Sequence, residues 1–349
     1  MPEDPRRILV IKLRATGDVV LATPVIENLK RRFPRARLSF LTEEASADVL
    51  RWNSLLDELI VLPLRRWGSL GVRGSWREQV RFYRNLRQRR FDLVFDLFGN
   101  PRSALLTWLT GAPDRVGYAF RGRRHAYTTV VTPSGRPGHE VLFHLEALEA
   151  LDIPVAADRP RVTIPGTAGE KADGWLREHV PGGRVLIGLN PGGGWAIKRW
   201  PPEFFGRLAD ALIDEYGVDV LILWGPGEAG LVARVTGAMR NRPLVLPETT
   251  LAELGAFLKR CGLLVSNDSA PMHMAAALNV PTVGIFGPTD PRAQGPWGDG
   301  HGVVRKESVD CLGCNRIKCP IGNICMTTLE PGELLEKIRA YIPVGIVGT

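Results

Sequence analysis

Two segments of the chain share one pattern of apolar and polar positions. Each begins with a short apolar run rich in β-branched residues, continues into a Gly-containing loop, and then places apolar residues at helical spacing. The first comprises the run 7–13, the loop 14–18 and a predicted helix 24–33; the second comprises the run 184–190, the loop 191–195 and a predicted helix 202–216. A proline at the start of each helix suits a first helical turn. The repetition predicts two domains that begin alike.

Further apolar runs predict the remaining strands. They are residues 37–41, 59–64 and 92–97 in the first half, and 218–223, 243–246, 263–265 and 282–286 in the second. Apolar strands that alternate with helices are typical of parallel sheets covered on both faces. We therefore predict an α/β protein with two Rossmann-like domains, 1–165 and 166–330. The boundary lies in the Pro- and Gly-rich stretch 153–183, which holds a short helix, 170–180. A last helical pattern in the segment 331–349 is expected to pack back on the first domain.

Composition adds a constraint on partners. Of 349 residues, 44% are hydrophobic and 23% charged, which is typical of soluble globular proteins and excludes disordered, collagen-like or coiled-coil architectures. The formal net charge is +8, from 45 basic and 37 acidic residues. Such a balance favours anionic partners: nucleic acid, phosphorylated small molecules or an anionic membrane surface.

The hydrophobic stretches are too short or too interrupted to be targeting or membrane segments. The apolar run that starts at Ile8 is broken at Lys12, which is too short for a signal peptide. The longest stretch without Asp, Glu, Lys or Arg, 270–289, contains Pro271, Pro281 and Pro288 and would be a poor membrane span. We therefore expect a cytoplasmic protein whose membrane contact is peripheral.

A glycine-rich loop follows the second apolar run. It contains Gly192, Gly193 and Gly194, followed by Lys198 just before the predicted helix 202–216. Consecutive glycines leave backbone N–H groups unobstructed, and a helix N-terminus with a nearby cation attracts anions. The loop is a candidate phosphate-binding segment, and a flexible connector is the alternative.

A second polar segment, 266–273, lies between a predicted strand and a helix entered through Pro271. Asp268 and Ser269 suit helix capping. His273 falls in the first helical turn, where it could donate a hydrogen bond to an anion, although a lone histidine is more often structural.

Residues 225–230, Gly-Pro-Gly-Glu-Ala-Gly, match the dinucleotide pattern G-x-G-x-x-G, and Glu248 lies about twenty residues further on. Two features weaken this match. The fingerprint normally opens the first strand-helix unit of its domain, whereas the strand 184–190 precedes it here. Pro226 also stiffens the turn that would approach the pyrophosphate. Binding of NAD(P) or a flavin is therefore the weaker interpretation.

Asp18 comes shortly after the first apolar run. Ligands of parallel sheets bind outside the carboxyl ends of the strands, so Asp18 is a candidate general base for a substrate hydroxyl. A simple helix cap is the structural alternative.

Four of the five cysteines, Cys311, Cys314, Cys319 and Cys325, fall within fifteen residues. In a protein expected to be cytoplasmic this density favours a structural zinc site over disulfides. An iron–sulfur cluster and unliganded or redox-labile thiols are the alternatives.

Arginines are concentrated between residues 65 and 90, where Trp67, Trp76, Phe82 and Tyr83 are interleaved with them, and further arginines follow at 115–124. Such a run is usually a solvated helix face. Arginine also binds phosphate and carboxylate groups with two N–H donors, and interleaved aromatic residues suit a membrane interface or a sugar-binding surface. An anionic acceptor site is therefore the second interpretation.

Three stretches of the chain together resemble glycosyltransferase family 9, the ADP-heptose:lipopolysaccharide heptosyltransferases. They are ILVIKLRATGDVVLATPVIENLKRRFP (8–34), NPGGGWAIKRWPPEFF (190–205) and VSNDSAPMHMAAALNVPTVGIFGPTDP (265–291). The likeness spans most of the chain in the right order, and its last stretch is the most specific. A Cys-rich loop after that stretch also occurs in a subset of such proteins.

The resemblance implies a GT-B fold, in which two Rossmann-like domains face each other across the active site. It also implies inverting, metal-independent transfer of heptose from ADP-heptose to the inner core of lipopolysaccharide at the cytoplasmic face of the inner membrane. No cofactor is expected for catalysis. The implied partners are an ADP-sugar donor, an anionic lipid-linked saccharide acceptor and the membrane surface, with no nucleic acid.

Individual roles follow from the same resemblance. Asp18 corresponds to the catalytic base, Lys198 to the lysine that holds the donor diphosphate, and Glu228 to an acidic partner of the ribose. The expected donor-binding residues are Gly193, Gly194, Lys198, Glu228, Thr249, Asp268, Ser269, Ala270 and His273. The expected acceptor-binding residues are Arg65, Arg66, Arg121, Arg123 and Arg124.

The chain departs from the family pattern at three places. Gly193 and Gly194 stand where some members have hydroxyl residues, so backbone N–H groups must bind the phosphates there. Ala270 replaces a common glycine, and the loop before Asp18 reads Arg-Ala-Thr where small or hydroxyl residues are usual.

Three competing functions remain open on the sequence. A GT-B enzyme with another sugar nucleotide, such as a UDP-sugar, differs only in base selection, which would rest on backbone contacts around Thr249. An NAD(P)-dependent oxidoreductase would use residues 225–230. A nucleic-acid binder is suggested only by the net charge, and no helix-turn-helix, zinc-finger or RNA-recognition signature accompanies it.

Overall fold

The computed structural model describes residues 4–118, 120–134, 138–180 and 182–342. By their internal contacts the residues group into two compact units, 1–163 and 164–349. Each unit has its own sheet and core, and each is described by itself below.

A six-stranded parallel sheet forms the centre of the first unit. Its strands are β1 (Arg7–Ile11), β2 (Arg37–Glu43), β3 (Glu58–Leu62), β4 (Leu93–Asp96), β5 (Asp114–Tyr118) and β6 (Thr129–Val131). Their order across the sheet is β3-β2-β1-β4-β5-β6. In this doubly wound order the strand sequence reverses between β1 and β4, and ligands of such sheets bind at the carboxyl ends of these strands.

Helices cover this sheet: α1 (Thr16–Leu21), α2 (Thr23–Arg32), α3 (Glu44–Ala47), α4 (Leu64–Ser69), α5 (Val72–Gln88), α6 (Pro101–Thr110) and α7 (Glu140–Glu149). A 3₁₀ helix spans Phe120–Ala126. Burial of β1 on both faces explains its continuous apolar sequence, with Ile8 to Ile11 at most 1% exposed. Helix α5 packs through Phe82, Tyr83 and Leu86 on Trp67 and the surrounding core.

The second unit repeats the arrangement. Its strands are β7 (Leu186–Asn190), β8 (Asp219–Ile222), β9 (Leu244–Val245), β10 (Leu263–Asn267), β11 (Thr282–Ile285) and β12 (Gly302–Val304). They form a parallel sheet in the order β12-β11-β10-β7-β8-β9. Counted from β7, this is the same doubly wound order as in the first unit, so its reversal lies between β7 and β10.

The helices of the second unit are α8 (Gly166–His179), α9 (Pro202–Tyr216), α10 (Ala229–Gly237), α11 (Leu251–Leu258), α12 (Ala270–Ala277), α13 (Pro291–Gln294), α14 (Ile324–Thr327) and α15 (Pro331–Ile338). Short 3₁₀ helices span Ala196–Lys198 and Arg339–Tyr341. The sequence analysis expected the C-terminal segment to pack back on the first domain. In the structure the apolar side chains of α15, Leu334, Leu335 and Ile338, lie in the core of the second unit, beside Leu208 and Leu212 of α9. Residues 343–349 of that segment lie outside the described residues.

The predicted α/β class with two parallel sheets is confirmed. Differences concern short elements. Helix α1 occupies part of the stretch predicted as a loop, and β5, β6 and β12 were not predicted. Strands β6 and β12 have three residues each, too few to show a periodic pattern, and β5 carries Asp114, Arg115 and Gly117, which disguise a buried strand. No helix in the described ranges is both long and apolar enough to span a membrane.

Candidate functional site

The first unit presents Asp18 at the switch point of its sheet. Asp18 is the third residue of α1, which follows the carboxyl end of β1, and its side chain is 29% exposed. Its carboxylate accepts a hydrogen bond from the Ala15 backbone N–H at 3.4 Å. A carboxylate in the first turn interacts favourably with the helix dipole and remains accessible to a substrate.

A buried cation stands beside this carboxylate. Lys12 continues β1, its side chain is 3% exposed, and its ammonium nitrogen lies 3.6 Å from Asp18 Oδ2 and 3.1 Å from Glu140 Oε1. The same Glu140 oxygen lies 3.5 Å from His144 Nε2, and His144 is fully buried on α7. Burial lowers the pKa of His144 well below its usual value, and the neighbouring Lys12 charge lowers it further. The group at Asp18 therefore contains one cation, two carboxylates and a neutral imidazole.

This buried histidine predicts an acid-dependent loss of stability. The folded-state pKa of His144 lies below its unfolded value of about 6.5. Below that pH the unfolded chain binds a proton that the folded chain refuses, so we expect the free energy of unfolding to fall by up to about 1.4 kcal/mol per pH unit from this group. Urea unfolding between pH 7.5 and 5 measures it, with His144→Asn lacking this component.

His125→Asn is the matched control, because His125 is an exposed histidine of the same unit. It should keep the wild-type pH dependence. Equal slopes for wild type and His144→Asn between pH 6.5 and 5 would contradict the prediction.

The carboxyl end of β4 provides a second buried carboxylate. Asp96 is fully buried and accepts hydrogen bonds from the N–H groups of Phe98 and Gly99, both at 3.0 Å, and from the Tyr127 hydroxyl at 2.7 Å. Burial raises the pKa of Asp96. These bonds fix the loop that follows β4, and the Gly99 carbonyl in turn accepts a bond from Arg123 Nε at 2.9 Å.

The predicted acceptor arginines lie at this same edge of the first sheet. Arg65 and Arg66 are exposed at the start of α4, which follows β3, and Arg66 pairs with Glu78 at 3.3 Å. Arg123 and Arg124 lie in the 3₁₀ helix after β5. Because carboxyl ends of parallel strands share one edge, these arginines lie on the same edge as Asp18. The side chain of Arg121 lies outside the described residues.

The second unit holds a cavity of about 380 Å³ at the carboxyl ends of β7 and β8. Its walls include the loop Gly192 to Gly194, the 225–228 loop, Arg199, and Ser269 and Ala270 at the start of α12. The glycines keep the loop backbone close to the cavity. All of these lining residues belong to the second unit.

Glu228 occupies the wall between the two glycine loops. Its carboxylate accepts hydrogen bonds from Gly225 N–H at 2.9 Å and Gly193 N–H at 3.3 Å. A Cβ on Gly192 would lie 2.5 Å from Glu228 Oε2, so only glycine leaves room for this carboxylate. Glu228 thus accepts from the Gly225 N–H, a donor that a dinucleotide pyrophosphate would need at the 225–230 loop.

Lys198 forms a tight ion pair with Asp268. The ammonium nitrogen lies 2.6 Å from Asp268 Oδ2, and the two side chains are 16% and 4% exposed. Thr289, which follows β11, donates a hydrogen bond to the same oxygen at 2.7 Å. Lys198 also lies 4.8 Å from the centre of the Trp195 ring. Asp268 therefore positions the lysine, which stands in the loop predicted to bind phosphate.

Asparagines bring the glycine loop and the start of α12 together. Asn267 donates to the carbonyls of Pro191 and Gly192, and Asn190 donates to Ser266 and Ser269 hydroxyls at 2.9 and 2.8 Å. His273 is buried in the first turns of α12, and Ala270 opens that helix. The loop 190–194 and the segment 266–273, predicted separately, therefore form one structure. Thr249 lies half-buried just before α11, and the cavity wall nearby is formed by Leu251 and Leu254.

The four clustered cysteines lie between β12 and α14 and at the start of α14. Cys325 is buried, Cys311 and Cys319 are half-buried and Cys314 is exposed. Burial, followed by the charges of the other three thiols, raises the pKa of Cys325 to about 11. Across the described ranges no group of three or more His, Cys, Asp or Glu side chains is arranged to hold a metal ion. The zinc site stays a prediction.

Sequence reasoning missed several polar groups of these two sites: Lys12, Asp96, Asn190, Arg199 and Thr289. The signal at Lys12 was the charge that interrupts an apolar strand, and Asp96 likewise ends one. Arg199 lines the cavity and donates to the Gly193 carbonyl at 2.8 Å. Thr289 comes to Asp268 only because β10 pairs with β11.

Comparison with known proteins gives consistent matches. The family model described as glycosyltransferase family 9 (heptosyltransferase) matches residues 79–325. Lipopolysaccharide heptosyltransferase 1 of Pseudomonas aeruginosa is 29% identical, over 96% of this chain and 98% of that protein. Among solved structures, the glycosyl transferase family 9 protein from Veillonella parvula is 26% identical, with a TM-score of 0.84 over 98% of both chains. The Escherichia coli heptosyltransferase WaaC with ADP-2-deoxy-2-fluoro heptose is 22% identical, with a TM-score of 0.73 over 96% of this chain and 99% of that one.

Proposed function

Because the chain belongs to glycosyltransferase family 9, the heptosyltransferases, we propose that it transfers heptose from ADP-heptose to the inner core of lipopolysaccharide. The donor cavity of the second unit carries this proposal, since its walls combine a glycine loop, the cation Arg199 and the Glu228 carboxylate. Lys198 lies next to Arg199 in the chain and is positioned by Asp268. The names of the relatives add support: one is a lipopolysaccharide heptosyltransferase, and another was solved with an ADP-heptose analogue.

We assign the donor to this cavity, and the charges around it support the assignment. Lys198 and Arg199 are the cations of this loop, and a diphosphate needs such charges together with backbone N–H groups. We assign those N–H groups to the start of α12, because the Gly193 N–H is bonded to Glu228. Glu228 is held at the edge of the cavity as an acceptor, which suits a ribose hydroxyl. We assign Asp268 to the positioning of Lys198, and His273 and Ser269 to the start of α12, where the donor phosphates would lie.

The chemistry assigned to the first unit is general base catalysis. Asp18 removes the proton of the acceptor hydroxyl as that oxygen attacks the anomeric carbon, while the bond from that carbon to the phosphate oxygen breaks and its electron pair leaves with ADP. Lys198 and the N-terminus of α12 stabilise the charge that develops on the diphosphate. These groups offset that charge without a metal ion, so we assign no metal to the transfer step.

An observation in the cavity argues against a nicotinamide cofactor. The Gly225 N–H group, at the first glycine of the 225–230 match, is bonded to the Glu228 carboxylate. A pyrophosphate placed there would meet a negative charge where the dinucleotide fold needs free donors.

Thermal unfolding of the purified chain with ADP, ADP-heptose, UDP and NADH side by side tests the donor. A ligand that binds only the native state at 100 times its Kd adds about 2.7 kcal/mol to the stability. We expect ADP and ADP-heptose to raise the Tm and the other two to leave it unchanged. A shift with UDP alone would reassign the donor base, and a shift with NADH alone would overturn the proposal.

The acceptor and the location are part of the same proposal. A lipid-linked, anionic saccharide suits the arginines at the carboxyl edge of the first sheet, Arg65, Arg66, Arg123 and Arg124. Such an acceptor requires the enzyme to work peripherally at the cytoplasmic face of the inner membrane. Transfer to a delipidated inner-core acceptor, followed by mass spectrometry of the product, tests the acceptor independently of the membrane.

We also propose that Cys311, Cys314, Cys319 and Cys325 bind a structural zinc ion. Their clustering within fifteen residues supports the proposal. Zinc binding would require the four thiols to lose their protons and the sulfur atoms to move closer together, because the described residues hold no group arranged for a metal ion. Metal analysis of chain purified without chelator should give about one equivalent of zinc. The double variant Cys311→Ser, Cys314→Ser should lose it and Cys261→Ala should keep it. Zinc-free wild-type protein would contradict the proposal.

A further inference from the structure

Helix α5 of the first unit presents an unpartnered cationic face. Arg73, Arg77, Arg81 and Arg84 are spaced by three or four residues and are exposed, on the side of the helix opposite the buried Leu86. No carboxylate within the described ranges forms an ion pair with any of these four, whereas the acidic Glu78 of the same helix pairs with Arg66. Like charges four residues apart destabilise an isolated helix, so an anionic partner would relieve a repulsion that the fold leaves in place.

Apolar groups border this face and protrude into solvent. Val72 is 88% exposed, Trp76 is 65% exposed, and Leu70 in the turn between α4 and α5 is 37% exposed. Trp108 of the adjacent helix α6 is 57% exposed. An exposed tryptophan beside basic residues is typical of segments that lie in the interface of a bilayer.

A shallow groove separates the side chains of this face. Trp76, Arg77, Arg81 and Arg84 line a depression of about 280 Å³. A neighbouring one of about 550 Å³ runs from Arg84 to the C-terminus of α6 at Gly111. Guanidinium groups around such depressions suit phosphate groups.

We propose that the α5 face, defined by Arg73, Trp76, Arg77, Arg81 and Arg84 together with Leu70 and Val72 at the start of the helix, docks on an anionic lipid bilayer. The arginines contact the lipid phosphates, and Trp76 and Val72 enter the interface. Basic side chains alone would suit nucleic acid as well, and the exposed apolar residues favour the membrane. The inference rests on the proposed function, because a lipid-linked acceptor must be reached at a membrane surface.

Sedimentation with vesicles tests the docking. Wild type should bind vesicles that contain 30% phosphatidylglycerol in phosphatidylcholine, bind pure phosphatidylcholine weakly, and lose binding as salt is raised. The variant Arg77→Glu, Arg81→Glu, Arg84→Glu should bind the anionic vesicles at least tenfold more weakly, because each basic residue near such a surface contributes roughly fivefold in affinity. Trp76→Ala should weaken binding without removing its salt dependence.

The control is a variant with the same net charge. Arg35, Arg177 and Arg242 are exposed arginines outside the α5 face, and changing all three to Glu alters the charge by the same amount. This scattered variant should bind like wild type. Equal losses in the two triple variants, no preference of wild type for anionic vesicles, or tight binding to duplex DNA in place of vesicles would each overturn the inference.

Failure of the docking and failure of the proposed function are distinguishable. Every residue assigned to the donor lies in the second unit, so the Arg77, Arg81, Arg84 variant should keep its ADP affinity within twofold of wild type. Retained ADP stabilisation also shows that the variant is folded. Vesicle binding without ADP stabilisation in wild type would reject the proposed donor and leave the docking surface standing.

Discussion

Replacing Asp18 with asparagine is expected to reduce kcat for heptosyl transfer by about 100- to 10,000-fold, the range for loss of a general base. Asparagine fills the same volume and can still accept the hydrogen bond from Ala15 N–H, but it cannot take up the acceptor proton. ADP affinity should stay within about twofold, because every residue assigned to the donor lies in the second unit. Steady-state transfer and ADP titration calorimetry on the same preparation measure both.

Two further variants make the result specific. Asp152→Asn changes an exposed carboxylate of the same unit in a left-handed position that asparagine tolerates, and it should transfer normally. Lys12→Met removes the cation 3.6 Å from Asp18. This variant should change the pH dependence of kcat and leave the ADP affinity close to that of wild type. Transfer by Asp18→Asn at a rate near that of wild type would remove Asp18 from the role of base.

Periodicity was sufficient to predict the frame that holds these residues. Helix α9 was predicted with the bounds that it has, because its apolar positions recur at helical spacing and a proline and a glycine mark its two ends. The strands β1, β7 and β10 were equally visible as apolar runs. Each of these strands is followed directly in the sequence by its loop. Asp18, Gly193 and Asp268 could therefore be placed at the carboxyl ends of strands without tertiary information.

Pairings between distant segments were not predictable in this way. Local sequence does not show that Glu228 bonds to Gly193, 35 residues away, or that Thr289 bonds to Asp268. His144 lies one helical turn after Glu140, as the spacing in α7 alone predicts. Only the packing of α7 brings this pair to Lys12. The G-x-G-x-x-G match shows the same limit: its glycines are present, but the carboxylate of Glu228, from within the motif, accepts the N–H of its first glycine, Gly225.

The second large effect is expected when the ion pair of Lys198 with Asp268 is broken. Lys198→Ala is expected to weaken ADP binding by about 10- to 100-fold, since hydrogen bonds to charged groups contribute roughly 1.5–3 kcal/mol. It also leaves the carboxylate of Asp268, only 4% exposed, without its cation. Removing one partner of a buried pair typically costs about 3 kcal/mol of stability. Calorimetric titration with ADP and urea unfolding separate the two losses.

The double variant Lys198→Ala, Asp268→Asn distinguishes a phosphate ligand from a structural ion pair. Asparagine can still accept the hydrogen bond from Thr289, so the stability should recover towards wild type. ADP affinity should remain low, because the positive charge is still missing. Lys259→Ala, an exposed lysine of the same unit, should change neither quantity. If the double variant regained ADP affinity, the orphaned carboxylate would account for the whole defect and Lys198 would not bind the diphosphate. If affinity stays low while stability returns, the charge of Lys198 acts on the nucleotide itself.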